Sequence, residues 1–483
     1  MLKIRDLAVC LVAAAACVTA MPAPQAASQP KLVPASTASA EARAKFERGI
    51  AAIENLQLGP ALDEFRAAAK ADASFALAHL FVAYCTTDPA EETRELTAAR
   101  RLAPRSSRGE KLLISWIAGS RENDYVTAIA AMNDLLHDFP DDPRIGFLAG
   151  RWLILQRRYE QGQKLLERAL AADQNYPAVL NELGYSYAFS RNYDKAVEVM
   201  ARYAALLPNE PNPHDSWGEV CRMAGRYDQA LEHYRASLKI DPKFSLLGLA
   251  DTYALMGEGQ KARAAYAEAI ANAPTQGDAV DYALQSALTY VREMKFEDAD
   301  KAFGEVAAKA RALGMARRRA TAYRAMGMYA TSNAAATKWL DRAEKALAAD
   351  PGMAKSDRAE EHAQILYARA LRARFADGRA GAAKAVAELA SMAAASRSHL
   401  IQRSYHGAAG ALLVAQGKFP QAIPHLEEDV VNPISAGLLA GAYEKTGAMD
   451  DARELRHRLA SFHEPTLEDA LAGSDSGRLA SAR

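Results

Sequence analysis

Thirty-four residues separate Gly184 from Gly218, Tyr193 from Tyr227, Ala196 from Ala230 and Pro208 from Pro242. Gly150 and Tyr159 stand the same distance before Gly184 and Tyr193. A period of this length marks a repeat architecture, whose units bury their apolar faces only by stacking on neighbours. A second spacing is independent of unit length, because a small residue is followed twelve positions later by another. It joins Gly49 to Ala61, Gly150 to Gly162, Gly184 to Ala196 and Gly218 to Ala230. It continues with Ala250 and Ala262, Ala287 and Ala299, Gly410 and Ala422, and Ala440 and Ala452. An aromatic often stands three before the second member, as at Tyr159, Tyr193, Tyr227, Phe296 and Phe419.

Helix packing explains both spacings. Each unit reads as two amphipathic helices of roughly thirteen residues joined by a short turn. Gly225, Gly257, Gly417 and Gly447 suit helix ends that turn through a left-handed conformation. Proline after Leu207, Asp241 or Ala273 halts the second helix, since it lacks an N–H and restricts the residue before it. Small residues let facing helix axes approach toward the lower end of the usual range of about 8–10 Å. Aromatics such as Tyr187, Tyr193 and Tyr234 fill the space beside them. Recurring Gly and Pro disfavour one long coiled coil.

The pattern resembles the tetratricopeptide repeat family, closely over 143–274 and more loosely at 41–73, 107–140, 280–311, 398–430 and 434–459. Units at 74–104 and 320–397 depart furthest, with Trp339 standing where a small residue is expected after Gly327. The resemblance covers about 41–460 and implies an all-α fold, an α-solenoid of stacked antiparallel helix pairs in about 11–12 units. It also implies that first helices line a concave groove holding a protein or peptide partner. Carried over unit by unit, the groove residues are Arg144, Phe147, Arg151, Asn181, Tyr185, Asp215, Glu219, Arg222 and Asp251, followed by Asp281. The Lys and Asn clamp with which chaperone-binding members hold a C-terminal carboxylate is not evident, since Asn181 is followed by Tyr185 and then Asp215.

The chain is sent out of the cytoplasm on this reading. Lys3 and Arg5 precede an apolar run from Leu7 to Ala20, shorter than the roughly 20 residues of a membrane span, as in a secretory signal peptide. Val18-Thr19-Ala20 places cleavage before Met21, so 1–20 is the expected leader. The rival is a lipid anchor on Cys17 after Ala14-Ala15-Ala16, a lipobox-like stretch without the usual Leu or Val. Residues 21–40, rich in Pro, Ala and Ser, read as a disordered lead-in. Beyond 460, Pro465 to Leu471 predicts a short helix covering the last unit, and Gly473 to Arg483 a disordered end.

The 483 residues balance 59 Lys plus Arg against 59 Asp plus Glu, so no basic excess points to nucleic acid. The four cysteines exclude a disulfide scaffold, and Cys85 and Cys221 read as small buried hydrophobes. No catalytic or metal-binding constellation emerges, and no cofactor is expected. Gly257-Glu-Gly259-Gln-Lys-Ala262 matches a dinucleotide pattern but lacks the strand that pattern needs. Ser186 stands mid-helix, unlike a nucleophile elbow. His399 and His406 lack a third ligand, and Arg317-Arg318-Arg319 reads as a solvated run. The expectation is a non-catalytic binding scaffold of the bacterial envelope, periplasmic or outer-membrane associated. Its alternatives are a lipid-anchored accessory of polymer assembly or secretion, and an enzyme with an unrecognised site.

Overall fold

The 34-residue period returns in the helix boundaries. Three helices begin at Pro143, Pro177 and Pro211, and the helices following them begin at Tyr159, Tyr193 and Tyr227. Proline suits a first helical turn, where its missing N–H has no intrahelical partner. In this computed structural model the described residues are 31–86, 88–121, 124–350, 353, 355–396, 398–460 and 463–475. The expected leader, Cys17, residues 21–30 of the lead-in and the tail from 476 lie outside them.

The described residues form twenty-five α-helices and no strand. The first six are α1 (Ala40–Glu54), α2 (Leu58–Ala71), α3 (Ala76–Cys85), α4 (Pro89–Leu102), α5 (Arg108–Arg121) and α6 (Tyr125–Asp138). The regular stretch holds α7 (Pro143–Leu155), α8 (Tyr159–Ala172), α9 (Pro177–Phe189), α10 (Tyr193–Leu206), α11 (Pro211–Met223) and α12 (Tyr227–Ile240). Next come α13 (Leu246–Leu255), α14 (Gly259–Ala271), α15 (Gln276–Arg292), α16 (Phe296–Ala312), α17 (Ala316–Tyr329) and α18 (Asn333–Ala348). The chain ends with α19 (Lys355–Ala370), α20 (Arg379–Ala395), α21 (His399–Ala415), α22 (Phe419–Glu428), α23 (Pro433–Thr446), α24 (Met449–Ala460) and α25 (Leu467–Asp475). Each odd-numbered helix up to α23 begins a hairpin, and from α9 onward consecutive hairpins stack.

Two compact units divide the chain: residues up to Ala44 with Phe65–Gly146, and Lys45–Glu64 with Phe147 onward. In the first, residues 31–39 run extended against helices instead of forming the end of a disordered lead-in. The Val33 N–H donates to Asp142 Oδ2 at 2.8 Å. The Ser36 N–H and hydroxyl donate to Glu110 at 2.8 and 2.6 Å, and the Thr37 hydroxyl to Asp72 at 2.5 Å. These carboxylates satisfy a segment that has no hydrophobic period to announce it.

In the second unit the small residues sit where hairpin arms touch. A Cβ added at Gly184 would lie 2.6 Å from Met200 Cε, and one at Gly150 would lie 2.7 Å from Leu166 Cγ. The same holds for Gly218 against Tyr234 and Gly410 against Leu426, each partner sixteen residues on. Gly327 meets Leu340, only thirteen residues on. The turn between α17 and α18 keeps the three residues of the regular hairpins, but Gly327 stands three residues nearer the end of its helix than Gly184 does, and Trp339 lies off the contact and against the Tyr323 ring at 5.9 Å. The other departure within 320–397 is a pair of short 3-10 turns, Leu371–Arg374 and Ala376–Gly378, before α20.

The helix expected over the last hairpin reaches it through α23 but packs equally on α15, four hairpins earlier. Leu467 and Ala470 are buried in that position. The helix continues through Gly473 to Asp475, into the stretch expected to be disordered.

Candidate inner-wall peptide site

First helices α9, α11, α13, α15, α17, α19, α21 and α23 touch one another in succession, forming one wall of the second unit. Side chains bridge neighbouring first helices along it. Arg151 on α7 bonds Glu182 on α9, and the Tyr185 hydroxyl donates to Glu219 on α11 at 2.7 Å. Arg318 on α17 grips Asp281 on α15 through Nε and Nη2 at 2.8 and 2.7 Å. Arg324 donates to Glu361 on α19 at 2.8 Å, both largely buried. Arg317 pairs with Asp357 at 2.9 Å, so two arginines of the Arg317–Arg319 run are held by carboxylates instead of being solvated.

Residues 463–475 lie on this wall. Arg222 Nη1 donates to the His463 carbonyl at 3.1 Å, while its Nη2 donates to Glu219 at 3.0 Å. The Tyr227 hydroxyl and His463 Nδ1 are hydrogen-bonded at 2.6 Å. Gly225 makes room for that histidine: a Cβ there would lie 2.5 Å from His463 Nε2, and its φ of +72° also favours glycine. Arg292 Nη2 donates to the Glu464 and Thr466 carbonyls at 3.1 and 3.4 Å and to Asp469 Oδ2 at 2.8 Å. Two arginines therefore hold a peptide, tightly turned at Glu464–Thr466, by its main chain and by one carboxylate.

The residues expected to face a groove divide into three sets. Tyr185, Asp215, Glu219, Arg222 and Asp251 come together in the second unit around α9, α11 and α13. Arg151 and Asp281 take part in the wall's cross-helix pairs. Phe147 and Asn181 do not offer a groove surface. Phe147 is buried against Tyr176 at 5.7 Å, and Asn181 is buried with its Oδ1 unpartnered among the described residues. The one-turn uncertainty in a sequence register decides which side of a helix faces inward. Arg144 belongs to the first unit, where its Nη2 donates to the Val33 carbonyl at 3.4 Å. Arg222 is only 4% exposed, so it belongs to the fold as well as to the wall.

Sequence reasoning did not place Tyr227, Arg292 or Arg324 at the site, and it gave the tail helix the last hairpin but not the rest of the wall. Arg292 closes the last turn of a first helix, as Arg222 does on α11, and that correspondence was the available signal.

Charge on the wall is set by burial first. Burial lifts the Asp215 and Asp251 carboxyls to about 6, with Arg222 pulling the other way. Burial opposes the charge on Arg222, yet Tyr234, Glu219, Asp251 and Glu464 outweigh it and raise its pKa. Burial, then Arg191 and Arg222, lower His463, which favours a neutral ring beside Tyr227. Among the described residues no group of three or more His, Cys, Asp or Glu converges to hold a metal ion. No described helix is long and apolar enough to cross a membrane.

Paired helices, a fixed period and a wall of first helices define a helical-repeat protein. Residues 121–181, 211–244 and 244–275 match tetratricopeptide-repeat families. These stretches of the chain are tetratricopeptide repeats. No curated protein matches the sequence. Among solved structures, MamA (MSR-1 C2) is 22% identical, with 34% of this chain and 96% of that one covered at a TM-score of 0.28. PilW, a widely conserved type IV pilus biogenesis factor, is 17% identical, with 50% and 98% covered at a TM-score of 0.32.

Proposed function

We propose that this chain is a non-catalytic scaffold of the bacterial cell envelope that binds a protein or peptide partner along the first-helix wall of its second unit. The observation that carries the reading is the pair Arg222 and Arg292, which donate to main-chain carbonyls of a peptide laid on that wall. Main-chain recognition suits a peptide ligand, because it places few demands on ligand sequence and leaves selectivity to flanking side chains. The leader-like residues 1–20 support the envelope address. Cys17 after three alanines favours one variant of it, a lipid-anchored accessory of polymer assembly or secretion. The mass of the mature N-terminus separates the two, a Met21 start removing the lipid.

Binding is tested by a photo-crosslinking residue placed in the producing bacterium at Glu219 or Arg318, partly exposed on the wall. Exposed Lys239 on second helix α12 serves as control. Adducts should form from the two wall positions, be absent from the control and fractionate with the envelope. Equal yields at all three positions would remove the wall assignment.

A further inference from the structure

We infer that residues 463–475 are a resident ligand of the wall, and that the partner displacing them is an acidic segment of the same design, a tight turn leading into a short helix. This inference rests on the scaffold reading above and adds the chemical class of the partner.

The tail's composition defines that class. Between His463 and Asp475 stand Glu464, Glu468, Asp469 and Asp475, with no Lys or Arg. The wall answers with cations: Arg222 and Arg292 at residues 463–469, and Arg324, which also pairs with Glu361, within electrostatic reach of Glu468. The apolar edge of α25 completes the match, since Leu467 and Ala470 enter the cluster holding Val280, Ala287 and Ile401.

The tail is also built to leave. Nine residues are too few for a helix to persist alone in water, so the order of α25 comes from the wall. Its charge match is incomplete: Glu464 Oε2 stands 3.9 Å from Arg222, but Glu219 and Asp251 also face that carboxylate and oppose its charge. A partner with a neutral hydrogen-bonding side chain at that point would bind the wall better than the tail does. Tethering gives the tail an effective concentration on the order of millimolar, so a free partner sees its affinity reduced by the fraction of chains with the wall open.

The test uses the full-length chain and a fluorescein-labelled peptide with the sequence of residues 463–475. Wild-type protein should bind the peptide weakly by anisotropy. Leu467→Glu with Asp469→Lys removes the apolar and the carboxylate anchor of the resident tail without altering the wall, and should tighten peptide binding at least tenfold. Asp469→Asn, a milder change, should tighten it to a smaller degree. A peptide carrying Lys in place of Asp469 should lose the gain, and one carrying Gln in place of Glu464 should bind more tightly. Hydrogen exchange across 467–475 should quicken in the double variant while far-ultraviolet circular dichroism stays that of wild type. Unchanged peptide affinity despite faster exchange overturns the inference, and so does unchanged exchange. Wall crosslinks of equal yield in wild type and double variant would leave the scaffold standing and remove the tail as competitor. Peptide binding without any wall crosslink would do the reverse.

Discussion

Asp215 shows how a single half-buried charge acts on a helical array. Its carboxyl titrates near 6 because burial penalises the anion and Glu219 adds repulsion, against the partial relief from Arg222. The ordinary carboxyl of the unfolded chain titrates near 3.8. The folded state therefore binds the proton more tightly. The stability this confers is complete below about pH 4 and is lost as pH rises to 6. Asp215→Asn has no such proton, so its melting temperature should gain on wild type between pH 4 and 7. A difference that does not vary with pH would refute the assignment. Met294 illustrates backbone strain of the same local kind. It holds φ at +56° in the turn before α16, with its side chain 52% exposed. Gly225 and Gly257 adopt that conformation freely at other hairpin turns. Met294→Gly should raise stability by about 0.5–1 kcal/mol, relief of left-handed strain exceeding the entropy that glycine adds. Denaturant titration reads this directly.

At the scale of the hairpin, the spacing of small residues was fully legible, because close helix approach demands it wherever it occurs. Gly184 is the clearest case. A side chain there meets Met200 at once, so Gly184→Val should cost roughly 1–3 kcal/mol by overpacking. A midpoint unchanged in urea would show that the two helices can part without penalty. The hairpin of α17 and α18 was legible only as an anomaly. Trp339 broke the twelve-residue rule because Gly327 sits three residues nearer the end of its helix, and the spacing rule assumes a small residue at a constant distance from the turn. The His214–His233 and His406–His425 contacts, each joining the two helices of a hairpin, were not foreseen. Their Nδ1 atoms lie 3.3 and 3.1 Å apart, and a nineteen-residue separation carries no periodic signal.

Over the whole molecule, the sequence by itself determined the repeat and the helix pairs, whereas the choice of first helices as the wall came only with the family resemblance. The repeat and the pairs follow from local periodicity, and every unit restates them. The sequence also carried the tetratricopeptide resemblance that the matched repeats bear out. Tertiary structure alone decided what lies on the helices. Residues 31–39 lie on the first unit through Asp142, Glu110 and Asp72. Residues 463–475 lie on the wall of the second through Arg222 and Arg292, about 240 and 170 residues away in sequence. Neither segment repeats anything. Their places are fixed by single hydrogen bonds and ion pairs between distant positions, and such pairings leave no period in a chain read one residue after another.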